Sequence, residues 1–161
     1  LAATGMLRSA AMAGNDEEVI LAATAVLTDA KVAPELENEA RYYRAQSLVK
    51  VNQMAHAVAD WQSLAQDTRN AYGAEAKYQL AQYLFDTGKT ADAEKEVLNY
   101  LEVSTPHTYW LARSFVLLSD IYAKLDRKLE ARQYLLSLKQ NYQADDDIAG
   151  MIESRLEKLN E

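Results

Sequence analysis

Residues 115–135 read FVLLSDIYAKLDRKLEARQYL. Phe115, Leu118, Ser119 and Tyr122 stand at i, i+3, i+4 and i+7, which is one stripe of a helix. Nine residues beyond Tyr122, past the turn former Asp126, Ala131 opens a second stripe that continues through Leu135 and Leu138. The same phrase recurs upstream. Lys77, Leu80, Ala81 and Leu84 lead past Gly88 to Ala93, Val97 and Tyr100, and Arg41, Arg44, Ala45 and Leu48 lead past Asn52 to Ala57, Trp61 and Leu64. A fainter version runs from Ala3, Met6, Leu7 and Ala10 past Gly14 to Val19 and Ala23. The landmarks Val19, Ala57, Ala93 and Ala131 lie 38, 36 and 38 residues apart. A period in this range is the mark of stacked helical units, none of which buries its stripe alone.

Composition narrows the possibilities in the same direction. The chain has 161 residues, of which 49% are hydrophobic and only five are Gly and two Pro. That suits one domain of long helices with short connections and argues against an all-β domain. There is no cysteine, so disulfides and thiolate metal sites are excluded while the compartment stays open. A net charge of −7 without a Lys/Arg cluster disfavours nucleic acid as a partner. No apolar run approaches the roughly 18–20 residues of a membrane span, so no membrane insertion is expected. No signal-peptide pattern is present, and the chain starts at Leu1 within an amphipathic pattern, as an excised or processed piece of a longer protein would.

Nine helices are expected. The first, from Leu1, ends at Ala13-Gly14-Asn15, a left-handed exit, and Asp16-Glu17-Glu18 opens the second, which runs to about Lys31. Pro34 fits the first turn of the third, and Met54–Asp67 the fourth. Asn70 begins the fifth, Thr90 the sixth, and Thr105-Pro106 reads as N-cap and first-turn proline of the seventh. The eighth ends near Tyr142. Ile148, Met151, Ile152, Leu156 and Leu159 give the ninth a single apolar face, as suits a helix that caps the end of a stack. Ala45, Ala81 and Ser119 on the first helices, and Ala57, Ala93 and Ala131 on the second, let each pair approach closely.

This pattern resembles the tetratricopeptide repeat family, whose 34-residue phrase is a large residue, Leu-Gly, Tyr, Ala, an aromatic and Pro. Tyr122 and Ala131 stand in register with it, and Ser119 holds the Gly place. The period of 36–38 is longer than the family's, the Gly place holds Ala or Ser, and the first unit, with Leu7 there, matches least. The longer period and Tyr-rich first helices also resemble divergent repeats of bacterial cell-envelope proteins, including outer-membrane assembly lipoproteins. The resemblance implies an all-α fold, a right-handed α-solenoid of about four helix pairs plus a C-terminal capping helix. It places a single repeat domain over 1–161, with units at about 1–33, 34–69, 70–105 and 106–142 and the cap at 145–160. It also implies a non-catalytic role, the C-terminal part of a longer repeat protein, and a periplasmic or envelope setting rather than a cytoplasmic one.

Candidate chemistry is sparse. His56 and His107 fall in different units with no ligand at a metal-binding spacing, so no metal is expected. Asp145-Asp146-Asp147 lacks the alternating donors of a calcium loop, since Gly150 and Glu153 stand at the wrong offsets, and reads as an acidic helix start. No serine sits in G-x-S-x-G, and no phosphate-binding glycine motif or other cofactor signature is present. The chain is therefore expected not to be an enzyme and to take no cofactor.

The ten tyrosines against two phenylalanines are the more informative feature. In the family, positions one residue past the first landmark, then four and eight further, face the concave side. Here they are Tyr42, Gln46 and Lys50; Tyr78, Gln82 and Asp86; Val116, Asp120 and Lys124. The resemblance thus implies a partner-binding groove formed by Tyr42, Gln46, Lys50, Tyr78, Gln82 and Asp120, with a protein or peptide as partner. The competing reading is that these tyrosines pack between adjacent first helices with their hydroxyls in water. The Lys/Asn set with which one family variant clamps C-terminal carboxylates is missing from these places. Two roles follow: a scaffold that holds a protein segment on its concave face, or a structural spacer at the end of a longer envelope array.

Overall fold

A computed structural model of the chain describes residues 2–161. Leu1, where the sequence pattern begins the first helix, lies outside the described residues. Among those residues there are nine α-helices and no strand: α1 (Ala2–Ala13), α2 (Asp16–Leu27), α3 (Pro34–Lys50), α4 (Met54–Leu64), α5 (Ala71–Asp86), α6 (Thr90–Glu102), α7 (Thr108–Lys124), α8 (Lys128–Asn141) and α9 (Ile148–Leu159). The chain divides into two compact units, Leu1–Ala76 and Lys77–Glu161, and the division falls within α5.

The pairing of helices starts from their exits. Gly14, Asn52, Gly88 and Asp126 all have positive φ, at +70°, +62°, +83° and +59°. Each closes its helix with the same two bonds. The N–H of the next residue donates five residues back, as Asn15 to Ala10 (3.0 Å), Gln53 to Leu48 (2.8 Å), Lys89 to Leu84 (2.8 Å) and Arg127 to Tyr122 (2.8 Å). The exit residue itself donates three back, as Gly14 to Ala11, Asn52 to Val49, Gly88 to Phe85 and Asp126 to Ala123. These bonds satisfy carbonyls that a helix end leaves open and turn the chain sharply. The next helix is thereby aimed back along the one just ended, and five residues after each exit stands a small landmark, Val19, Ala57, Ala93 or Ala131, all buried.

In the unit Leu1–Ala76, α1 packs on α2, α2 on α3 and α3 on α4. Its core joins Leu7, Ala10, Val19, Ala23, Val26 and Ala40, with Leu27, Val32 and Tyr43 against it. At the start of α5 the chain passes close to the end of α4: a Cβ on Gly73 would lie 1.9 Å from the Asp67 carbonyl oxygen and 2.5 Å from that of Leu64. Only glycine fits there, a constraint with no counterpart in the repeated phrase. In the unit Lys77–Glu161, α6 packs on α7, α7 on α8 and α9, and α8 on α9. One core cluster joins Ala81, Ala93, Val97, Leu118, Ile121, Tyr122 and Ala131, and a second joins Val116, Leu135 and Leu138 to Ile148 and Ile152 of α9.

Two local expectations are corrected. Thr105-Pro106 does not open α7, which begins at Thr108; the Thr105 hydroxyl instead accepts the N–H of His107 at 3.1 Å, a turn that precedes the helix. Met6, read as a core landmark, is 65% exposed, whereas Leu7 and Ala10 of the same phrase are buried.

Left-handed backbone strains an L-residue with a Cβ, and glycine relieves it. Asn52→Gly and Asp126→Gly should therefore each raise stability by about 0.5–1 kcal/mol in urea unfolding. Gly73→Ala, which drives a methyl into two carbonyl oxygens, should lower it by about 2–3 kcal/mol.

Candidate functional site

Five of the six residues of the expected groove, Tyr42, Gln46, Tyr78, Gln82 and Asp120, are engaged within their own units. In the first unit the Tyr42 ring stacks on Tyr72 of α5, centroids 4.3 Å apart, and meets Tyr43 edge-on. Its hydroxyl accepts from Gln46 Nε2 at 2.7 Å. Burial, and then the neighbouring Glu75, push the Tyr42 hydroxyl from the usual 10 up to about 12. Gln46 and Lys50 are exposed. One turn nearer the chain start, Arg8 of α1 reaches Glu39 of α3 in a two-pronged ion pair, both contacts 2.9 Å.

In the second unit Tyr78 is only 5% exposed, so its ring belongs to the core rather than to an open surface. It anchors a continuous polar chain. Arg113 Nη2 donates to the Tyr78 hydroxyl (2.9 Å), which donates to Gln82 Oε1 (2.8 Å), and Gln82 Nε2 donates to Asp86 Oδ1 (2.8 Å). In the other direction Arg113 Nη1 donates to the Tyr109 hydroxyl (3.0 Å), which donates to Asp147 Oδ1 (2.9 Å). The Arg113 guanidinium lies 4.8 Å from the Tyr78 ring centre and 5.9 Å from those of Tyr109 and Trp110, within the range of cation–π attraction. Burial pushes the Tyr78 hydroxyl up, and Arg113 opposes that shift. Asp120 is held by Arg155 of α9 in a fork of 2.9 and 3.1 Å. Val116 is buried against Leu135 and Ile152 and does not face outward as its position in the family implies.

Periodicity could place Tyr42, Tyr78 and Asp120 on corresponding faces. It did not single out Arg113, Tyr72, Glu39 and Arg155, which lie outside the landmark phrase of the helices they come from, although Glu39 and Arg113 share one register place, two residues ahead of Arg41 and Phe115.

The interior holds a second, charged feature that the stripe pattern concealed. Arg41 and Arg44 occupy stripe positions of α3 because Asp60 of α4, 1% exposed, waits opposite. Arg44 grips it with Nε (2.8 Å) and Nη2 (2.7 Å), and Arg41 adds Nη1 at 3.4 Å. The Asp60 hydrogen bond raises the Arg44 pKa. One period later the same two places hold Lys77 and Glu96, an ion pair of 2.7 Å. In the last phrase they hold Phe115 and Tyr134, rings 6.0 Å apart; in the first they hold Ala3 and Ala22. One packing site is thus filled by small, charged or aromatic pairs, which explains why hydropathy alone blurs the phrase.

Among the described residues no group of three His, Asp or Glu is placed to hold a metal ion, and no helix is long and apolar enough to cross a membrane. No family model, no curated protein and no solved structure matches the chain.

Removing one partner of a buried ion pair leaves the other uncompensated, whereas an apolar pair of similar volume is often neutral. Asp60→Ala should lower stability by about 3–5 kcal/mol, while Lys77→Met combined with Glu96→Leu should stay within about 1 kcal/mol of the parent in urea unfolding. A raised folded-state tyrosine pKa stabilises the protein fully below pH 10 and loses that contribution as pH climbs toward 12, because the unfolded chain releases its proton first. Stability should accordingly fall between pH 10 and about 12, and Tyr42→Phe should flatten that fall in a pH series of urea midpoints.

Proposed function

We propose that the chain is a non-catalytic protein-interaction scaffold of tetratricopeptide type. Its four helix pairs, α1–α2, α3–α4, α5–α6 and α7–α8, stack as a right-handed α-solenoid, and α9 caps the last pair. The scaffold works by helix pairs docking on one another and not by a peptide held among its tyrosines. One observation carries this reading. Three of the positions that would contact a peptide are already joined to another helix within their unit: Tyr42 to Tyr72 of α5, Tyr78 to Arg113 of α7 and Asp120 to Arg155 of α9, and Arg8 of α1 is likewise joined to Glu39 of α3. A peptide entering there would have to displace intramolecular partners of equal chemistry, so its net gain would be small. The identical backbone exits at Gly14, Asn52, Gly88 and Asp126 support the count of four pairs. The single apolar face of α9, with Glu153, Glu157 and Lys158 exposed opposite Ile148 and Ile152, supports its role as a cap.

The peptide-groove reading retains Gln46 and Lys50, which stay exposed beside Tyr42. Stability measurements separate the two. Under the stacking reading Arg113→Ala should cost about 1.5–3 kcal/mol in urea unfolding, since it removes two hydrogen bonds and a cation–π contact. Gln46→Ala and Lys50→Ala should each change stability by less than about 0.5 kcal/mol. An Arg113→Ala midpoint equal to the parent's would mean that these ties do not hold the helices together, and would return the face to the groove reading.

A further inference from the structure

The face of a first helix that receives the second helix before it can be identified by register. It begins one residue ahead of the phrase. On α3 it includes Ala40 and Ser47, and α2 covers it: Ala40 joins the α2 core residues Ala22, Ala23 and Val26, and the Ser47 hydroxyl donates to Asp16 Oδ1 at 2.8 Å. On α7 it includes Leu117, Leu118 and Ile121, packed on Ala93 and Val97 of α6. These positions are buried or half-buried in the later phrases: Ala40, Ala76 and Ser114 are 0–2% exposed, Leu80 and Leu118 are buried, and Tyr43, Arg44, Gln79 and Tyr83 are half-buried.

On α1 the corresponding residues are Ala2, Gly5, Met6 and Ser9, and all four are exposed. Together with Leu21 of α2, 72% exposed, they line an open groove of about 750 Å³ with an apolar floor. Leu21 departs from its counterparts in the later second helices, Ala59, Lys95 and Gln133, which are also exposed but small or polar. Exposed large apolar side chains occur elsewhere, as at Leu129 of α8, but Met6 and Leu21 stand together over small residues that permit close approach, the arrangement of an interface.

We infer that this groove is a docking face for a helix pair of the chain's own repeat type, whose second helix lies on α1 as α2 lies on α3. This rests on the stacking reading above. The register also specifies the occupant's chemistry: an oxygen acceptor in its first turn opposite Ser9, as Asp16 stands opposite Ser47, and Ala, Val or Leu side chains over Ala2. Because Met6 replaces Arg44, the residue in the place of Thr24, which accepts from Arg44 Nη1 at 3.1 Å, should be apolar.

The test uses the full chain and an extended chain in which a second copy of residues 2–33, with its Thr24 counterpart changed to Leu, is fused ahead of Ala2. Peroxide oxidation of Met6, followed by peptide mass spectrometry, should slow by about fivefold or more in the extended chain, while Met54 reacts at an unchanged rate. Met6→Glu should leave the parent's urea midpoint unchanged and abolish that protection. Equal Met6 oxidation in both chains overturns the proposal. So does a concentration-dependent dimer of the parent, seen by sedimentation and lost in Met6→Glu, because a second copy would then cover the face. Ala40→Glu lies in the face that α2 already covers and should destabilise both chains. If it does not, the stacking reading itself fails, whereas insensitivity confined to Met6 removes only the docking face.

Discussion

Everything in both units depends on where the chain turns after α1, α3, α5 and α7. A helix that exits through a left-handed residue, with one bond reaching five residues back and another three, has little freedom in the direction it takes next. That fixed departure sets the start of the following helix and puts a small residue, five positions on, against the helix just completed. Without the turn the two stripes would not face each other, and no selection of apolar residues could compensate. Two of the four exits use Asn52 and Asp126 in place of glycine, and both short polar side chains tolerate this backbone better than other residues with a Cβ.

Given paired helices, the interior is tolerant of chemistry in a way that the backbone is not. The place between the first stripe position and the fourth residue of the second stripe is filled by Ala3 and Ala22, by Arg41 and Asp60, by Lys77 and Glu96, and by Phe115 and Tyr134. What the site requires is matched volume and matched polarity across it. A lone carboxylate such as Asp60 would be costly there, but one gripped by two guanidiniums is not. Between first helices the same logic appears as polar and aromatic ties. The chain from Asp86 through Tyr78 and Arg113 to Asp147 satisfies each buried polar group and fixes the registration of α5, α7 and the loop before α9.

Those ties bear directly on function. A residue that is aromatic, flanked by a glutamine and placed on a family's ligand-facing side looks, in sequence, like a binding residue. Tyr78 has those attributes and is buried, its hydroxyl between Arg113 and Gln82. In the first unit, by contrast, α1 repeats the positions of a covered face, and Ala2, Gly5, Met6 and Ser9 are exposed there.

By itself the sequence determined the helical class, the helix order, the four turns at Gly14, Asn52, Gly88 and Asp126, with a left-handed exit read at Gly14, and the small buried landmarks, because these follow from spacing and from residues whose local conformational preferences are strong. It also overreached locally: Thr105-Pro106 forms a turn ahead of α7, Met6 stands in water, and Val116 lies in the core. Only the tertiary structure decided that Arg41 and Arg44, half-buried on their stripe, grip the buried Asp60, that Gly73 leaves no room for a Cβ, and that Tyr42, Tyr78 and Asp120 are tied to other helices. The physical reason is that a side chain's partner across a helix interface comes from a distant part of the chain. Its identity is set by how closely the backbones approach, a quantity that periodicity does not encode.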